Sequence, residues 1–548
     1  DWLEPTPSMP PEARYGYVFT RSNEPNPRRL RCYCHPGPAR MRFENVSFSI
    51  DTSWKLGFVG RNGKGKTTFL QLLLGKYEYQ GAITRSVVFD YFPYPVKQKD
   101  LERTAAELME DWKAGVESWR VLCELEKLDM DAELLYRPFG TLSFGERTRV
   151  MLAVLFSGEN DFLLIDEPTN HLDQDAREII KKYLASKKGF ILVSHDRDLL
   201  DACIDHVLVL NRASIEVQSG NFSSWWENKE KADHFARMEH EKRVKEIGKL
   251  KAAADCSSRW AEKNENTKIG YDPAKEHDRS ISTRSYIGAK TKKMQSRVKA
   301  YEERMDREIE KKEGLLKDIE TVKDLKIMPL SHYKERLIEC RDFSLKYRDG
   351  KEHVITGLNF ELKQGDRVFL KGKNGCGKSS LIKYILTQNL QNSSNGGIEK
   401  RKITMSGCEN LSGENIMATG TCSIASNLVI SYINQDTSHL SGTLKEFAKK
   451  QEIDEPMLLS MLRSLDLDRE QFVKNMEEFS EGQKKKVLIA ASLLTPAYLY
   501  LWDEPLNYID VFSRMQIEKL IAQFQPTMLI VEHDARFAKK LATKVVEL

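Results

Sequence analysis

Lys55-Leu-Gly-Phe-Val-Gly60-Arg-Asn-Gly-Lys-Gly-Lys66-Thr-Thr-Phe-Leu-Gln-Leu-Leu-Leu74 decides the fold of this chain. Lys55 to Val59 reads as a short buried strand, Gly60 to Thr68 as a glycine-rich loop, and Phe69 to Leu74 as the apolar start of a helix. Strand, G-x-x-x-x-G-K-T and helix in that order form a phosphate loop of the Walker A type. Gly60, Gly63 and Gly65, with Asn62 between them, free backbone N–H groups to wrap phosphate oxygens. Lys66 is placed to reach the β- and γ-phosphates, Thr67 to ligate Mg²⁺, and Thr68 to open the helix.

Downstream, Asp161-Phe-Leu-Leu-Ile-Asp166-Glu167 is an apolar run suited to a buried parallel strand, ending in two acids. Asp166 is the expected Mg²⁺ ligand and Glu167 the group that polarises the attacking water. Ile191-Leu-Val-Ser-His195 ends another apolar strand and aims a histidine at the same region. Between the loop and these acids, Leu142-Ser-Phe-Gly-Glu146 leads a helix from Arg147 to Phe156.

The whole set then repeats, the signature of a duplicated module. Leu337 to Tyr347 reads as a first strand, and Gly372-Lys-Asn374-Gly375-Cys-Gly377-Lys378-Ser379-Ser380 is the second phosphate loop. Phe479-Ser480-Glu-Gly482-Gln483, Leu499-Tyr-Leu-Trp-Asp503-Glu504 and His533 follow in the same order, with the same roles expected for Ser379, Asp503, Glu504 and His533. A polar Asn/Ser/Gly-rich insertion, about 389 to 427, is expected to be a mobile surface loop. Residues 1 to 41, rich in proline and without periodicity, are expected to be a largely disordered leader.

The copies, 42–226 and 337–548, flank a charge-dense segment, 227–336, that reads as two long helices joined near Lys268-Ile-Gly-Tyr-Asp-Pro273. Over 242–299 basic residues outnumber acidic ones by more than two to one, a density that favours phosphate backbone, and Trp260, Tyr271 and Tyr286 are flat groups able to stack on bases. Such hairpins also serve as solvated spacers, so this segment alone leaves both readings open. The net charge is only +4 with 30% charged residues, so a polyanion must meet a local patch. No uninterrupted apolar run of bilayer length and no signal-peptide pattern occurs. Nine scattered cysteines fit a reducing compartment better than a disulfide framework.

Walker A, an LSGGQ-like signature, Walker B and a switch histidine, in that order and twice over, resemble the ATP-binding cassette (ABC) domain. The resemblance implies an α/β fold of two phosphate-loop cassettes in tandem, ATP and Mg²⁺ as ligands, and ATP hydrolysis. It implies that Tyr347 stacks on adenine, that Gln435 in Ile430-Ser-Tyr-Ile-Asn-Gln435 contacts Mg²⁺, and that Ser143, Gly145, Ser480, Gly482 and Gln483 face phosphate. The first copy departs from the pattern: Phe144 replaces a glycine and Glu146 a glutamine. Tyr94 stands where Gln435 does, and no aromatic before Phe43 matches Tyr347. Cassettes of this kind pair head to tail, so Gly60 to Thr68, Asp166, Glu167 and His195 would meet Ser480, Gly482 and Gln483. The second loop, Gln435, Asp503, Glu504 and His533 would meet Ser143 and Gly145.

Two cassettes joined by a long charged hairpin, entered through Gly220-Asn-Phe-Ser-Ser-Trp-Trp226, resemble the ABC-F family, whose members act on ribosomes. Tyr91-Phe-Pro-Tyr-Pro95 and Trp502-Asp-Glu-Pro-Leu-Asn-Tyr-Ile-Asp510 are similar to its Lsa-type antibiotic-resistance group. That implies a bacterial, cytoplasmic monomer that protects the peptidyl-transferase region from lincosamides, streptogramin A compounds and pleuromutilins. Its partners would be rRNA and P-site tRNA, with Lys249, Arg259, Lys292, Lys293 and Arg297 on RNA phosphates and Tyr271 and Tyr286 near bases. A housekeeping ABC-F translation factor, the ATPase of a transporter, and a chromosome or DNA-repair ATPase are the alternatives.

Overall fold

The apolar runs that precede each motif become the inner strands of two parallel sheets, as their two-sided burial requires. The computed structural model describes residues 17–20, 31–34, 48–63, 65–77, 83, 87–158, 161–170, 172–210, 215–269, 288–301, 303–304, 327, 329–347, 353–394 and 416–548. In the first sheet the order is Val88–Phe92, Asp161–Asp166, Phe190–Val193, Lys55–Gly60, His206–Leu210 and Ile215–Ser219, only the last running antiparallel. The phosphate-loop strand thus lies inside the sheet, where Leu56 and Phe58 are fully buried. The loop, the acids and the histidine all fall at carboxyl ends of strands, where open parallel sheets bind ligands.

The second sheet repeats this arrangement as Ile430–Ile433, Leu499–Asp503, Met528–Val531, Arg367–Lys371 and Lys544–Glu547. Its core closes on Tyr500 and Trp502, both fully buried, and already includes Ile327. Beside it stands a three-stranded antiparallel sheet with Arg336–Tyr347 in the centre, flanked by His353–Lys363 and Ile416–Ile424.

That third strand corrects the reading of 389–427 as a surface loop. The helix Lys378–Ser394 carries through its first residues, and Ile416–Ile424 pairs in register from Ile416↔Tyr347 to Ile424↔Ile338. Residues 395–415 lie outside the described part. The leader also differs from expectation, since Tyr17–Thr20 and Arg31–Cys34 pair antiparallel, Tyr17 opposite Cys34. Phe48 to Ile50 are irregular in backbone, and the side chains of Phe48 and Ile50 pack against the first core.

Ser224–Thr321, with Asn211–Ala213, forms a separate unit. Its helix runs from Phe222 to Ile269, past the turn-prone start at Lys268, through a composition rich in Ala, Glu and Lys that favours helix. Residues 288–301 are helical again. The joining residues, Tyr271 and Tyr286 among them, lie outside the described part. Lys249, Arg259, Lys292, Lys293 and Arg297 are exposed, as are Phe235, Met238 and Trp260. Among the described residues no helix is long and apolar enough to cross a membrane.

Candidate nucleotide sites

In the first cassette the strand Lys55–Gly60 delivers the loop, and Gly65, at φ 103°, turns it into the helix Lys66–Leu73. That left-handed conformation is open to glycine and strained for other residues. The Lys66 ammonium folds over its own loop, donating to Gly60 O (2.6 Å), Arg61 O (3.3 Å) and Asn62 Oδ1 (3.3 Å). Burial pushes its pKa down, opposed by Asp510, Glu167 and Asp166. The Thr67 hydroxyl donates to Asp166 Oδ2 at 3.0 Å, bringing the two expected Mg²⁺ ligands together. Tyr91 donates to the same oxygen, also at 3.0 Å.

Glu167 follows Asp166 with a left-handed φ of 52°, fixed by its N–H donating to Val193 O at 2.9 Å. Its carboxylate faces His195, with His195 N 3.3 Å from Oε2 and Nε2 3.2 Å from Oε1. Burial, reinforced by the Asp166 charge, raises the Glu167 pKa to about 8, while Lys66 and Arg514 pull the other way. Burial also drives His195 well below its ordinary value, helped by Lys66 and Arg514. A neutral imidazole beside a carboxyl that retains its proton near neutrality is an arrangement suited to proton transfer.

The second site repeats the frame with different company. Gly372, Gly375 and Gly377 all have positive φ, and a Cβ on Gly377 would fall 2.6 Å from Val354 Cγ1. Lys378 donates to Gly372 O and Lys373 O, both at 2.8 Å. The Ser379 hydroxyl bonds Asp503, whose pKa burial raises to about 6. Asp503 Oδ1 is buried without a hydrogen-bond partner. An orphaned carboxylate oxygen beside a hydroxyl fits a magnesium ion that keeps several waters.

Glu504, at φ 45°, accepts from Gln435 Nε2 (2.8 Å) and Asn507 Nδ2 (2.6 Å), with His533 Nε2 3.6 Å from its other oxygen. Gln435, which the resemblance assigns to Mg²⁺, is here a partner of the glutamate. The Tyr347 hydroxyl lies 2.6 Å from Ser380 Oγ, so the side chain stands over the start of the loop helix.

Strand register equates Tyr94 with Gln435, since Phe92 pairs with Ile165 and Ile433 with Trp502, each one residue before a Walker B aspartate. Tyr94 does not enter the site. It is buried, donates to Asp90 Oδ2 at 2.8 Å and stacks on Trp112 at 5.3 Å.

Both signature serines are helix N-caps. Ser143 and Glu146 exchange backbone and side-chain hydrogen bonds across Phe144–Phe156, and Ser480 and Gln483 do so across Glu481–Leu494. Glutamate and glutamine close this capping box equally well, which accounts for Glu146. Gly145 has only ordinary contacts around it, and Phe144 is exposed with the Arg147 guanidinium 5.4 Å from its ring. Thr68, Gly63 and Asn374 keep their places in the two loops.

The cassettes meet at the first site. Asn62 Nδ2 donates to Tyr508 O at 2.7 Å, and a Cβ on Gly482 would fall 2.6 Å from that oxygen and 3.1 Å from Asn62 Nδ2. Only glycine permits this approach of signature to loop. Arg61 pairs with Asp466 at 3.4 Å, and the buried Arg197 and Glu518 form an ion pair. Arg536 reaches Asp201 (2.8 Å) and Asp198 (3.0 Å). On the opposite side, exposed Lys373 lies 3.9 Å from Asp175.

Sequence reasoning did not single out Tyr91, Asn507, Tyr508 or the Arg197–Glu518 pair. Tyr508 and Asn507 lie in a quoted motif, but their partners come from tertiary structure. Tyr91 carried a signal in its alternation within the strand, one residue before Phe92.

The family profile described as "ABC transporter" matches residues 43–170 and 355–507, together just over half of the chain. Ribosome protection protein VmlR of Bacillus subtilis (strain 168) is 26% identical over 503 residues, 91% of this chain and 82% of the relative. The putative ATP-binding protein YdiF of the same organism is 24% identical over 92% of this chain and 77% of its own length. The archaeal ribosome recycling factor aABCE1, solved with ribosomal stalk protein aP1, superposes with a TM-score of 0.54 at 19% identity, covering 92% of this chain and 84% of its own. At that identity the likeness speaks for the fold.

Proposed function

Because the chain belongs to the ABC transporter family, carrying its ATP-binding domain twice, we propose that it is an ABC-F-type ATPase that acts on the ribosome. Each phosphate loop holds a nucleotide against the other half's signature. The contact of Gly482 and Tyr508 with Asn62 carries this reading, because it builds the first site from both cassettes. Nucleotide that adds contacts only in this pairing shifts the population toward it.

In the reaction, Glu167 and Glu504 orient the attacking water and take its proton, and His195 and His533 hold those carboxylates from the other side. Thr67 with Asp166, and Ser379 with Asp503, would hold magnesium, which would supply positive charge at the phosphates. Lys66 and Lys378 exchange their own-loop carbonyls for phosphate oxygens. Hydrolysis releases the pairing.

The ribosome reading rests on the similarity to VmlR and on the exposed basic residues of the helical unit. Lys249, Arg259, Lys292, Lys293 and Arg297 meet RNA phosphates, and the bend between the helices protects the peptidyl-transferase region from lincosamides, streptogramin A compounds and pleuromutilins.

The test is a ribosome pull-down with the Glu167→Gln/Glu504→Gln protein, expected to be retained in an ATP-dependent manner. Replacing the bend, residues 268–289, by a Gly-Ser turn should then abolish protection of in vitro translation from lincomycin while ATPase activity persists. No ribosome retention removes the proposal, and retention without drug protection reduces it to a translation factor.

A further inference from the structure

Between the two cassettes, the fifth residue after each signature serine differs in kind: Thr148 in the first and Lys485 in the second. Lys485 is 2% exposed, so its ammonium must be satisfied internally. It donates to Asn434 O at 2.9 Å and to Glu504 O at 3.3 Å. Asn434 precedes Gln435, and Gln435 in turn donates to the Glu504 carboxylate. One buried cation therefore spans the two backbone segments whose side chains meet at the base.

The residue before each switch histidine differs as well. Ser194 in the first cassette is Glu532 in the second, 4% exposed, accepting from Leu506 N and His533 N at 3.3 Å each. Burial pushes the Lys485 pKa down, opposed by Asp503, Glu504, Glu532 and Glu481. Arg514, Arg177 and His533 face Glu532. A buried lysine and a buried glutamate thus occur together in one cassette, where the other has two hydroxyl residues. The cassette with the charges is also the one with glutamine, not tyrosine, in the preceding loop.

We propose that Lys485 is a positioning residue of the second site, clamping the Asn434–Gln435 segment to Glu504 so that the base is held in line. This rests on the reading of Glu504 as the base of ATP hydrolysis. In the first site the equivalent residue is Thr148, and among the described residues Glu167 faces His195.

The experiment isolates each site in the full chain, Glu167→Gln leaving the second and Glu504→Gln the first. In the Glu167→Gln protein, Lys485→Thr should lower kcat for ATP about tenfold with KM changed less than about twofold, the pattern of a misplaced group. The loss at the second site should exceed that at the first by at least about fivefold.

Lys485→Met, closer in volume, serves where the threonine variant does not fold. Equal losses at both sites, a rise in KM alone, or an unchanged kcat would overturn the proposal. So would a Glu167→Gln protein that binds ATP without turnover while Glu504→Gln is active, since the second site then has no reaction to position. Absence of turnover in the unmodified chain would instead overturn the ATPase reading, and this inference with it.

Discussion

Glu167 and Glu504 end equivalent strands with the same left-handed turn, φ 52° and 45°, yet they sit in different company. Glu504 is gripped by two amides, from Gln435 and Asn507, and its backbone carbonyl by Lys485. Glu167 faces a single imidazole 3.2 Å away and retains its proton up to about pH 8. The strained backbone, worth ~1–3 kcal/mol at a non-glycine residue, is common to both. What surrounds the carboxyl is where the copies diverged. A duplicated frame can therefore surround two equivalent glutamates with different partners.

The sharpest way to break this comparison is to remove each base in turn. Glu167→Gln and Glu504→Gln should each lower turnover at their own site by ~10²–10⁴-fold, with nucleotide binding retained. ATP hydrolysis and nucleotide binding by the two proteins measure this directly. A double variant that still hydrolyses ATP would contradict both assignments.

Next in size is the buried ion pair between the cassettes. Arg197→Met leaves Glu518 buried with only Lys540, 3.4 Å away, as a partner, and should weaken the fold by ~3–5 kcal/mol in urea unfolding. Lys373→Ala, at the exposed contact with Asp175, should change stability by less than ~1 kcal/mol. Equal effects would mean that the two sides of the pairing are not mechanically different.

A third test reads the waiting proton. With Glu504→Gln, turnover comes from the first site and should rise about tenfold from pH 7 to above pH 8, as Glu167 ionises around its raised value. The sign for stability is the reverse. A carboxyl whose folded pKa lies above the unfolded one costs stability as pH rises from about 4.5 to about 8, and no further above that. A flat pH–rate profile over this window would show that bound nucleotide resets the group.

The smallest effect is expected at Tyr94. Tyr94→Phe removes one hydrogen bond to Asp90, costing ~1 kcal/mol, and should leave first-site turnover as it was. Altered kinetics would return Tyr94 to the site from which the structure excludes it.

Much of this was legible in the sequence because the phosphate loop, signature and acid pair are local patterns whose chemistry is carried by adjacent residues. Lys66, Thr67 and Asp166 came together as their spacing implies, since the strands bearing them end on one side of the sheet. The strand Ile416–Ile424 was not legible. Met417-Ala-Thr-Gly-Thr-Cys-Ser423 is mostly polar and largely exposed, and its distant partner Arg336–Tyr347 makes it a strand. For Tyr94 the alignment with Gln435 holds, but alignment gives a position and not the direction of a side chain. The junction of Asn62 with Tyr508 joins residues 446 apart, a separation at which no local pattern speaks.

That junction has one more consequence, for dilution. Asn62 and Tyr508 belong to one polypeptide, so their meeting is a first-order event. Tethered partners face each other at effective concentrations that reach the millimolar range for short flexible connections and do not fall when the solution is thinned. Cassettes that meet as separate chains lose their nucleotide sites at low copy number. Here the phosphate loop and the segment facing it at the first site belong to one polypeptide.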